Sequence, residues 1–402
     1  MTVAIGRRVA QWRVRRRMTQ QVFADRIGRS KSWVDKVERG VRTLDKFSLI
    51  QQVADVLRVD PTELLGGDRT PPPSHTAPAS GVDAVRAALA RYDVFAADPP
   101  RPPSDPEDVS RRVEHAWSTY RHGDHPRLLR TLPDLLDAAR RLPAARPGHG
   151  IRPLTQAYQV TAHTLVKVGE PDLAWLAADR ALATAGTDRL LAASAAVPLA
   201  QALRGLGQHR LAMTAAITAA HQVATAHQVA TAAGRHPPPH RQPVYGTLLL
   251  QAAYAAASCG DTAAVAELIR QAADLAGQAG DDPDPGTASF GPAAVECARV
   301  STAVELGDAA DAAGRHPAIV RCDGWLRLPA EHRAAYLIDV TRAYLDLGDL
   351  VAAGGTLVEA DRVAPAEVRC RPASRTVVAE VARSGPGSAG VARLATALGL
   401  TH

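Results

Sequence analysis

The chain has 402 residues, of which 46% are apolar and 4% aromatic, and its formal net charge is +6. This length suits two or three domains, and an apolar set dominated by Ala, Leu and Val favours packed helices over a β-sandwich. No apolar run approaches the roughly 18 residues of a membrane span, and no signal-peptide pattern opens the chain. We therefore expect a soluble, cytoplasmic protein.

Positive charge is concentrated in the N-terminal part of the chain. Residues 1–69 contain 15 Lys and Arg against 8 Asp and Glu, whereas the remaining residues contain 32 against 33. An excess of this kind on one small segment is typical of a surface that contacts phosphate groups, although a solvated surface has the same composition.

Residues 18–40 have the pattern of two short helices joined by a tight turn. Thr19 is a suitable N-cap for the first helix, and Ser30 is a suitable N-cap for a second helix at 30–39. Gly28 lies between them, where a turn requires the left-handed conformation. The spacing predicts a helix-turn-helix unit.

The second helix of this unit is predicted to have an apolar and a polar face. Val34 and Val37 are three residues apart and face inward, and Gly40 ends the helix. The opposite face carries four polar residues: Lys31, Ser32, Asp35 and Lys36. In a helix-turn-helix protein this second helix enters the DNA major groove.

Three more helices are predicted around this pair, at 5–16, 45–57 and 59–65. Together with them, the pattern T-Q-x-x-F-A-x-x-I-G-x-S-x-S-x-V-x-x-V-E-R-G at 19–40 resembles the XRE class, the family of Cro and the phage repressors. The resemblance covers residues 3–66. It implies a five-helix DNA-binding domain that binds an operator as a dimer.

The resemblance also implies two kinds of DNA contact. The side chains expected to read base edges are Lys31, Ser32, Lys36 and Trp33. For Trp33 a place in the domain core is the alternative. The side chains expected to contact phosphates are Thr19, Gln20, Arg15, Arg16, Arg17 and Arg42. The domain boundary is placed after residue 66.

Residues 67–108 are predicted to form a Pro-rich linker. Within it, a short amphipathic helix is expected at 82–95. The helical spacing comes from four residues: Val82, Val85, Leu89 and Tyr92.

Residues 109–402 contain an internal repeat of paired helices. In each copy an apolar helix ends at Gly followed by an acidic or amide residue, at Gly123, Gly169, Gly207, Gly260, Gly307 and Gly348. The pattern resembles the tetratricopeptide repeat, which needs small residues five and twelve places after the Gly. Ala174 and Ala181 fit this requirement, as do Ala353 and Ala360. The resemblance implies an α-solenoid, and Gly spacings of 38 to 53 residues, against about 34 in that repeat, imply longer helices or loops.

Motifs for catalysis and metal binding were sought in the same way. The sequence has no Walker loop, no H-E-x-x-H, no G-x-S-x-G and no zinc-ligand spacing. Gly385 to Gly390 matches G-x-G-x-x-G by letter, but it follows a predicted helix rather than a strand and contains Pro. We therefore predict no enzyme activity, no metal site and no cofactor.

A second resemblance covers residues 290–368, which contain FGPAAVECARVSTAVELGD and LPAEHRAAYLIDVTRAYLDLGD. This segment is similar to the C-terminal half of XRE regulators from high-GC actinobacteria, which join the DNA-binding domain to a tetratricopeptide-like domain. The resemblance implies a transcription factor and no particular ligand.

The predicted fold class is therefore all-α, with a helix-turn-helix domain followed by a tetratricopeptide-like solenoid. We predict a DNA-binding regulator that dimerises through residues beyond 108 and binds a peptide or small molecule in the solenoid groove. Candidate groove residues, for which a place in the core is the alternative, are Tyr158, Trp175, Tyr254 and Tyr344. The alternative function is a ligand-independent regulator whose repeats bind a protein partner.

Overall fold

The computed structural model describes residues 5–16, 18–42, 44, 47–57, 59, 64, 76–91, 104–145, 150–232, 241–279, 290–384 and 389–400. Within these ranges all regular structure is helical, which confirms the predicted all-α class. The chain forms a small N-terminal helical domain and a larger body of repeated helix pairs.

The N-terminal domain contains four described helices. They are α1 (Ile5–Arg15), α2 (Gln20–Arg26), α3 (Lys31–Glu38) and α4 (Phe47–Leu57). Both predicted caps are confirmed: Thr19 Oγ1 accepts from the backbone N–H of Val22 at 3.2 Å, and Ser30 Oγ accepts from that of Trp33 at 3.1 Å. Gly28 has a φ of +63°, as the turn between α2 and α3 requires.

A compact apolar core holds these helices together. Phe23 and Ile27 from the α2 region, Val34 and Val37 from α3 and Ile50 from α4 are all buried. Of the predicted helix at 59–65 the structure describes only Val59 and Leu64; Leu64 is buried in the same core and Val59 packs against it.

The next helix, α5 (Thr76–Leu89), starts and ends about six residues earlier than the predicted 82–95. Its Pro78 lies in the first helical turn, where a missing N–H breaks no hydrogen bond, so the helix can begin inside the Pro-rich segment. Val85 and Leu89 are buried in the core of the body. This helix therefore packs as part of the body, and Tyr92 lies outside the described residues.

The body continues through fifteen further helices within the described ranges. They are α6 (Pro106–Arg121), α7 (His125–Ala145), α8 (Ile151–Lys167), α9 (Pro171–Ala185), α10 (Arg189–Gly205), α11 (His209–Ala232), α12 (Arg241–Ser258), α13 (Thr262–Ala279), α14 (Pro292–Leu306), α15 (Ala309–Ile319), α16 (Ala330–Leu347), α17 (Leu350–Val363), α18 (Pro365–Arg369), α19 (Pro372–Arg383) and α20 (Ala389–Ala397).

The six repeat glycines form the turns between paired helices. All six have φ between +72° and +84°, a conformation that costs a residue with a Cβ roughly 1–2 kcal/mol. The small residues that follow them lie where paired helices meet: Ala174, Ala181, Ala353 and Ala360 are completely buried. The sequence repeat therefore corresponds to a structural repeat of helical hairpins.

The even-numbered helices α6, α8, α10, α12, α14 and α16 form the inner layer of the body. Each contacts the next, and α16 also contacts α6, so the inner layer closes into a ring. A Cβ added to Gly169 would lie 2.5 Å from Cγ of Pro372, and one added to Gly123 would lie 2.8 Å from Cβ of Ala364. The last helices therefore lie in close contact with the turns of the first hairpins.

No helix in the described part of the chain combines the length and apolar character needed to cross a bilayer.

Candidate DNA-binding surface and central cavity

Helix α3 carries the residues predicted to read bases. Lys31, Ser32 and Lys36 are exposed on one face, opposite the buried face of the helix. Trp33 is half-buried against the domain core, and the Arg29 guanidinium carbon lies 5.8 Å from the centroid of its ring. Three of the four side chains therefore share a solvent-facing surface, and Trp33 lies at its edge.

The residues predicted to contact phosphates differ in their exposure and in the hydrogen bonds that they make within the protein. Thr19 and Arg42 are exposed. Gln20 donates from Nε2 to Oε2 of Glu38 at 2.9 Å, and Arg16 donates from Nε to the carbonyl oxygen of Leu57 at 3.0 Å. Arg17 and the side chain of Arg15 lie outside the described residues.

A buried ion pair stabilises this domain, and sequence reasoning missed it. Arg13 holds Glu38 with two hydrogen bonds, of 2.5 Å from Nε and 3.0 Å from Nη2, and also donates to the carbonyl of Met18 at 2.7 Å. Arg13 and Glu38 are 25 residues apart, so no local pattern revealed the pair. It joins α1 to α3 and, through Gln20, to α2.

The ring of inner helices surrounds a cavity of about 1220 Å³ that is open to solvent on one side. All six even-numbered helices contribute to its wall, together with α19. One part of the wall comes from the N-terminal domain, whose α4 contacts α16 and supplies Gln51, Asp55 and Val56. Both domains therefore line one cavity.

Charged side chains are unusually frequent in the cavity wall. The basic ones are Arg121, Lys167, Arg204, Arg342 and Arg371. The acidic ones are Asp55, Glu305, Glu331 and Asp339. In the sequence these positions look like the solvated face of ordinary amphipathic helices. Only closure of the ring turns that face inward, so the sequence offered no signal for this site.

Lys167 joins the two ends of the ring. It is the only one of the four lysines outside residues 1–69. Its Nζ lies 2.6 Å from Oε2 of Glu331 on α16 and 2.9 Å from Oε1 of Glu367 on α18. The same Glu367 oxygen accepts a hydrogen bond of 2.8 Å from Nε2 of His125, and both of these side chains are 0% exposed. We call these four residues the clasp.

Within the clasp, Lys167 and Glu367 favour each other's ionised state. Burial by itself would raise the pKa of the Glu367 carboxyl, but Lys167, His125 and Arg371 together keep that pKa below its usual value. Burial likewise opposes the charge of Lys167, and the two carboxylates of Glu331 and Glu367 outweigh it and raise the pKa of the ammonium.

His163 on α8 is a buried neutral group beside the clasp. Burial lowers the pKa of its imidazole to about 4, so the ring is uncharged at pH 7. Nδ1 donates to Oε1 of Gln201 at 3.0 Å. The rings of Trp117 and Tyr120 pack around it, with centroid distances of 5.5 Å and 5.4 Å.

Of the four aromatic residues predicted to line one groove, only Tyr254 belongs to the cavity wall. Tyr158 points its hydroxyl toward the neighbouring α7, where it accepts from Nε of Arg140 at 3.0 Å. Trp175 is 48% exposed on the outer helix α9, and Tyr344 packs edge-on against His316. Of the four, Tyr254 alone lines this cavity, and a common groove for all four stays a prediction.

No cluster of His, Cys, Asp and Glu within the described ranges has an arrangement suited to a metal ion.

Comparison with known proteins bears on the N-terminal domain. Residues 4–65 match a family described as "Helix-turn-helix domain". Among solved structures, the crystal structure of Bacillus thuringiensis PlcR in complex with the peptide PapR7 and DNA is similar at 12% identity and a TM-score of 0.32, covering 67% of this chain and 93% of that chain. No curated protein matches the chain. The N-terminal part is a helix-turn-helix domain, the class that the caps, turn and exposed face of α3 define.

Proposed function

We propose that the protein is a sequence-specific transcriptional regulator whose operator affinity depends on a peptide or small molecule in the cavity. The observation that carries the proposal is the position of α4, which belongs to the DNA-binding domain and also lines the cavity. A molecule in the cavity would contact both domains.

DNA binding by α3 is supported by charge and exposure. Lys31 and Lys36 present free ammonium groups on the outer face of the helix, where lysine can donate to O6 and N7 of guanine. Ser32 lies between them. Arg42 and Thr19 are exposed near the same surface and are suited to phosphate contact, and we retain Gln20 and Arg16 as further phosphate contacts.

Operator binding by a homodimer is part of the same proposal. One small DNA-binding module buries only about 600–1,000 Å² of protein surface, and a second copy doubles the contacts. Half-sites about 34 Å apart, or a multiple of that distance, place two copies of α3 on one side of the DNA. We propose that residues beyond 108 hold the two copies together.

Control by an effector requires that it bind two arrangements of the domains with different affinity. The contact between α4 and α16 is the element that would change. Asp55 on α4 lies in the same part of the wall as His209 and Glu305, so a molecule that competes for these polar groups would alter the docking of the DNA-binding domain.

The test is operator binding measured by fluorescence anisotropy on fragments from the region upstream of the protein's own gene. Lys31→Ala and Lys36→Ala are each expected to weaken binding to the preferred fragment roughly tenfold or more, since a good base contact contributes about 1–3 kcal/mol. Arg270→Ala, an exposed change on the outer helix α13, is the control and should bind as the wild type does.

Unchanged binding by both Lys variants would contradict the role of α3. The effector part is tested by adding cell extract separated into a small-molecule filtrate and a macromolecular fraction. A change in operator affinity with the filtrate supports the proposal. A change with the macromolecular fraction alone would instead favour the ligand-independent regulator whose repeats bind a protein.

A further inference from the structure

Arg204 on α10 differs in its ion pairing from three other cations of the cavity wall. Lys167 pairs with two carboxylates, Arg342 lies 3.6 Å from Glu305, and Arg371 lies 3.9 Å from Glu367. Within the described part of the chain, Arg204 has no carboxylate at ion-pair distance. Its guanidinium carbon instead lies 5.0 Å from the ring centroid of Tyr254 on α12.

The surroundings of Arg204 make an unpaired charge costly. Burial lowers the pKa of its guanidinium, although arginine stays protonated in proteins. An unpaired cation removed from bulk water is unfavourable unless an anion or polar groups replace the lost hydration. The nearby acids Glu305 and Asp339 already face Arg342, at 3.6 Å and 3.7 Å. The anionic group of a bound molecule would supply the ion-pair partner that Arg204 lacks among the described residues.

A second, independent observation concerns uncharged polar atoms of the same wall. Oε1 of Gln251 and Nε1 of Trp117 have no hydrogen-bond partner, although these residues are only 8% and 7% exposed. Gln251 lies one helical turn before Tyr254, beside the Arg204 site. Buried polar groups are nearly always hydrogen-bonded, so both atoms are suited to a bound molecule. The Gln251 amide can present its oxygen or, after a flip, its N–H groups.

The other side chains of the wall indicate the chemistry of the remaining part of such a molecule. Apolar side chains alternate with the polar ones on the inner helices: Val166, Val197, Val244, Leu250 and Ile338. Ligand sites of small molecules usually have about 300–1,000 Å³, so this cavity of about 1220 Å³ accommodates a ligand of that size together with water.

We infer that the cavity binds an amphiphilic organic anion whose carboxylate or phosphate group pairs with Arg204. The planar guanidinium matches either group with two parallel hydrogen bonds, and Tyr254 fixes its plane. An apolar body contacts the valine and isoleucine side chains, and a polar substituent reaches Gln251. This inference rests on the proposed function, because it specifies the chemistry of the effector.

The test uses full-length protein and three probes: 4-phenylbutyrate, phenyl phosphate and the neutral 4-phenylbutyramide. Binding is followed by isothermal titration calorimetry and ligand-observed NMR. At least one anion is expected to bind ten times more tightly than the amide, a difference of about 1.4 kcal/mol. The better anion identifies the head group.

Three variants separate the charge of Arg204 from other effects. Arg204→Gln should reduce the preference for the anion to parity with the amide, and Arg204→Lys should retain part of it. Arg270→Gln, on the exposed surface of α13, should keep the full preference. Because no carboxylate among the described residues lies at ion-pair distance from Arg204, Arg204→Gln should fold, and its thermal unfolding midpoint should match that of Arg270→Gln.

An anion that binds no tighter than the amide, which includes no binding of either, overturns the inference, as does full preference in Arg204→Gln. Operator binding measured in parallel keeps the two proposals apart. Anion preference without any effect on operator affinity leaves the Arg204 site standing and contradicts effector control. If the extract filtrate changes operator affinity but the protein shows no anion preference, effector control stands and the Arg204 site is contradicted.

Discussion

Helix α3 of the N-terminal domain turns its lysines toward solvent, whereas the inner helices of the body turn charged side chains toward the cavity. In the N-terminal domain Lys31 and Lys36 point outward, and the interior is apolar apart from the Arg13–Glu38 pair. In the body the outer and inner helices meet through alanine and leucine, and the polar faces of the inner helices surround the cavity.

This contrast determines how each charged side chain affects the free energy of folding. An exposed lysine keeps its hydration and contributes little to folding, so it is available for a partner such as DNA. A charge inside the ring has lost part of its hydration and must be paired. The same substitution should therefore affect binding in one domain and stability in the other.

The largest expected effect comes from removing the clasp lysine. Lys167→Met should reduce the free energy of unfolding by about 3–5 kcal/mol, because Glu367 would remain buried with one of its main counter-charges removed. The matched control is Lys31→Met on α3, which should change stability by less than about 0.5 kcal/mol and weaken operator binding. Both are measured by urea denaturation.

Equal stability of the two methionine variants would contradict the distinction between the domains. A loss in Lys167→Met that is partly rescued by Glu367→Gln in the double variant would strengthen it, since the fully buried carboxylate of Glu367 is then replaced by a neutral amide.

A slightly smaller effect is expected where the ends of the ring meet. Gly169→Ala and Gly307→Ala both place alanine at positive φ, +81° and +84°, which costs about 1–2 kcal/mol. Only at Gly169 would the new Cβ lie 2.5 Å from Pro372, whereas nothing lies within 4 Å at Gly307. Gly169→Ala should lose a further 1–3 kcal/mol, roughly the cost of overpacking. Equal losses in urea denaturation would mean that the ring is open there.

The buried imidazole of His163 should make the body sensitive to mild acid. Its pKa is lowered to about 4 in the folded state, so between pH 7 and pH 5 the unfolded chain binds a proton that the folded chain does not. Stability should fall by about 2 kcal/mol over this interval. His163→Gln should remove that part of the pH dependence. If His163→Gln keeps the wild-type dependence of stability on pH, His163 is not the group responsible for it.

The smallest effect separates folding from DNA recognition within α3. Ser30→Ala removes the N-cap hydrogen bond to Trp33 and should cost about 1 kcal/mol, detected as faster amide hydrogen exchange in residues 31–38. Ser32→Ala, two residues later, leaves the cap intact and should alter operator preference without faster exchange. Faster exchange in Ser32→Ala together with altered operator preference in Ser30→Ala would contradict these roles.

Local patterns were sufficient to predict much of the fold. The caps Thr19 and Ser30, the turn at Gly28 and the six repeat glycines could be predicted because each depends on neighbours within a few residues. The start of α5 could not, because packing of Val85 and Leu89 against the body decides whether its Pro-rich first turn becomes helical.

The cavity depends on contacts that are distant in the sequence. His125 and Glu367 are 242 residues apart, and neither has a neighbouring motif that points to the other. Without ring closure, Gln251 and Arg204 look like ordinary surface residues of two helices. Which of the predicted aromatic residues line the cavity depends on the same distant contacts, and of the four only Tyr254 does so.

Ring closure also changes how the repeats unfold. In an open solenoid each repeat has neighbours on both sides except at the two ends, which fray first and need capping. Here α6 and α16 are neighbours, so neither end is a free terminus of the array. Fraying at one end must break contacts at the other, which couples the unfolding of the first and last repeats.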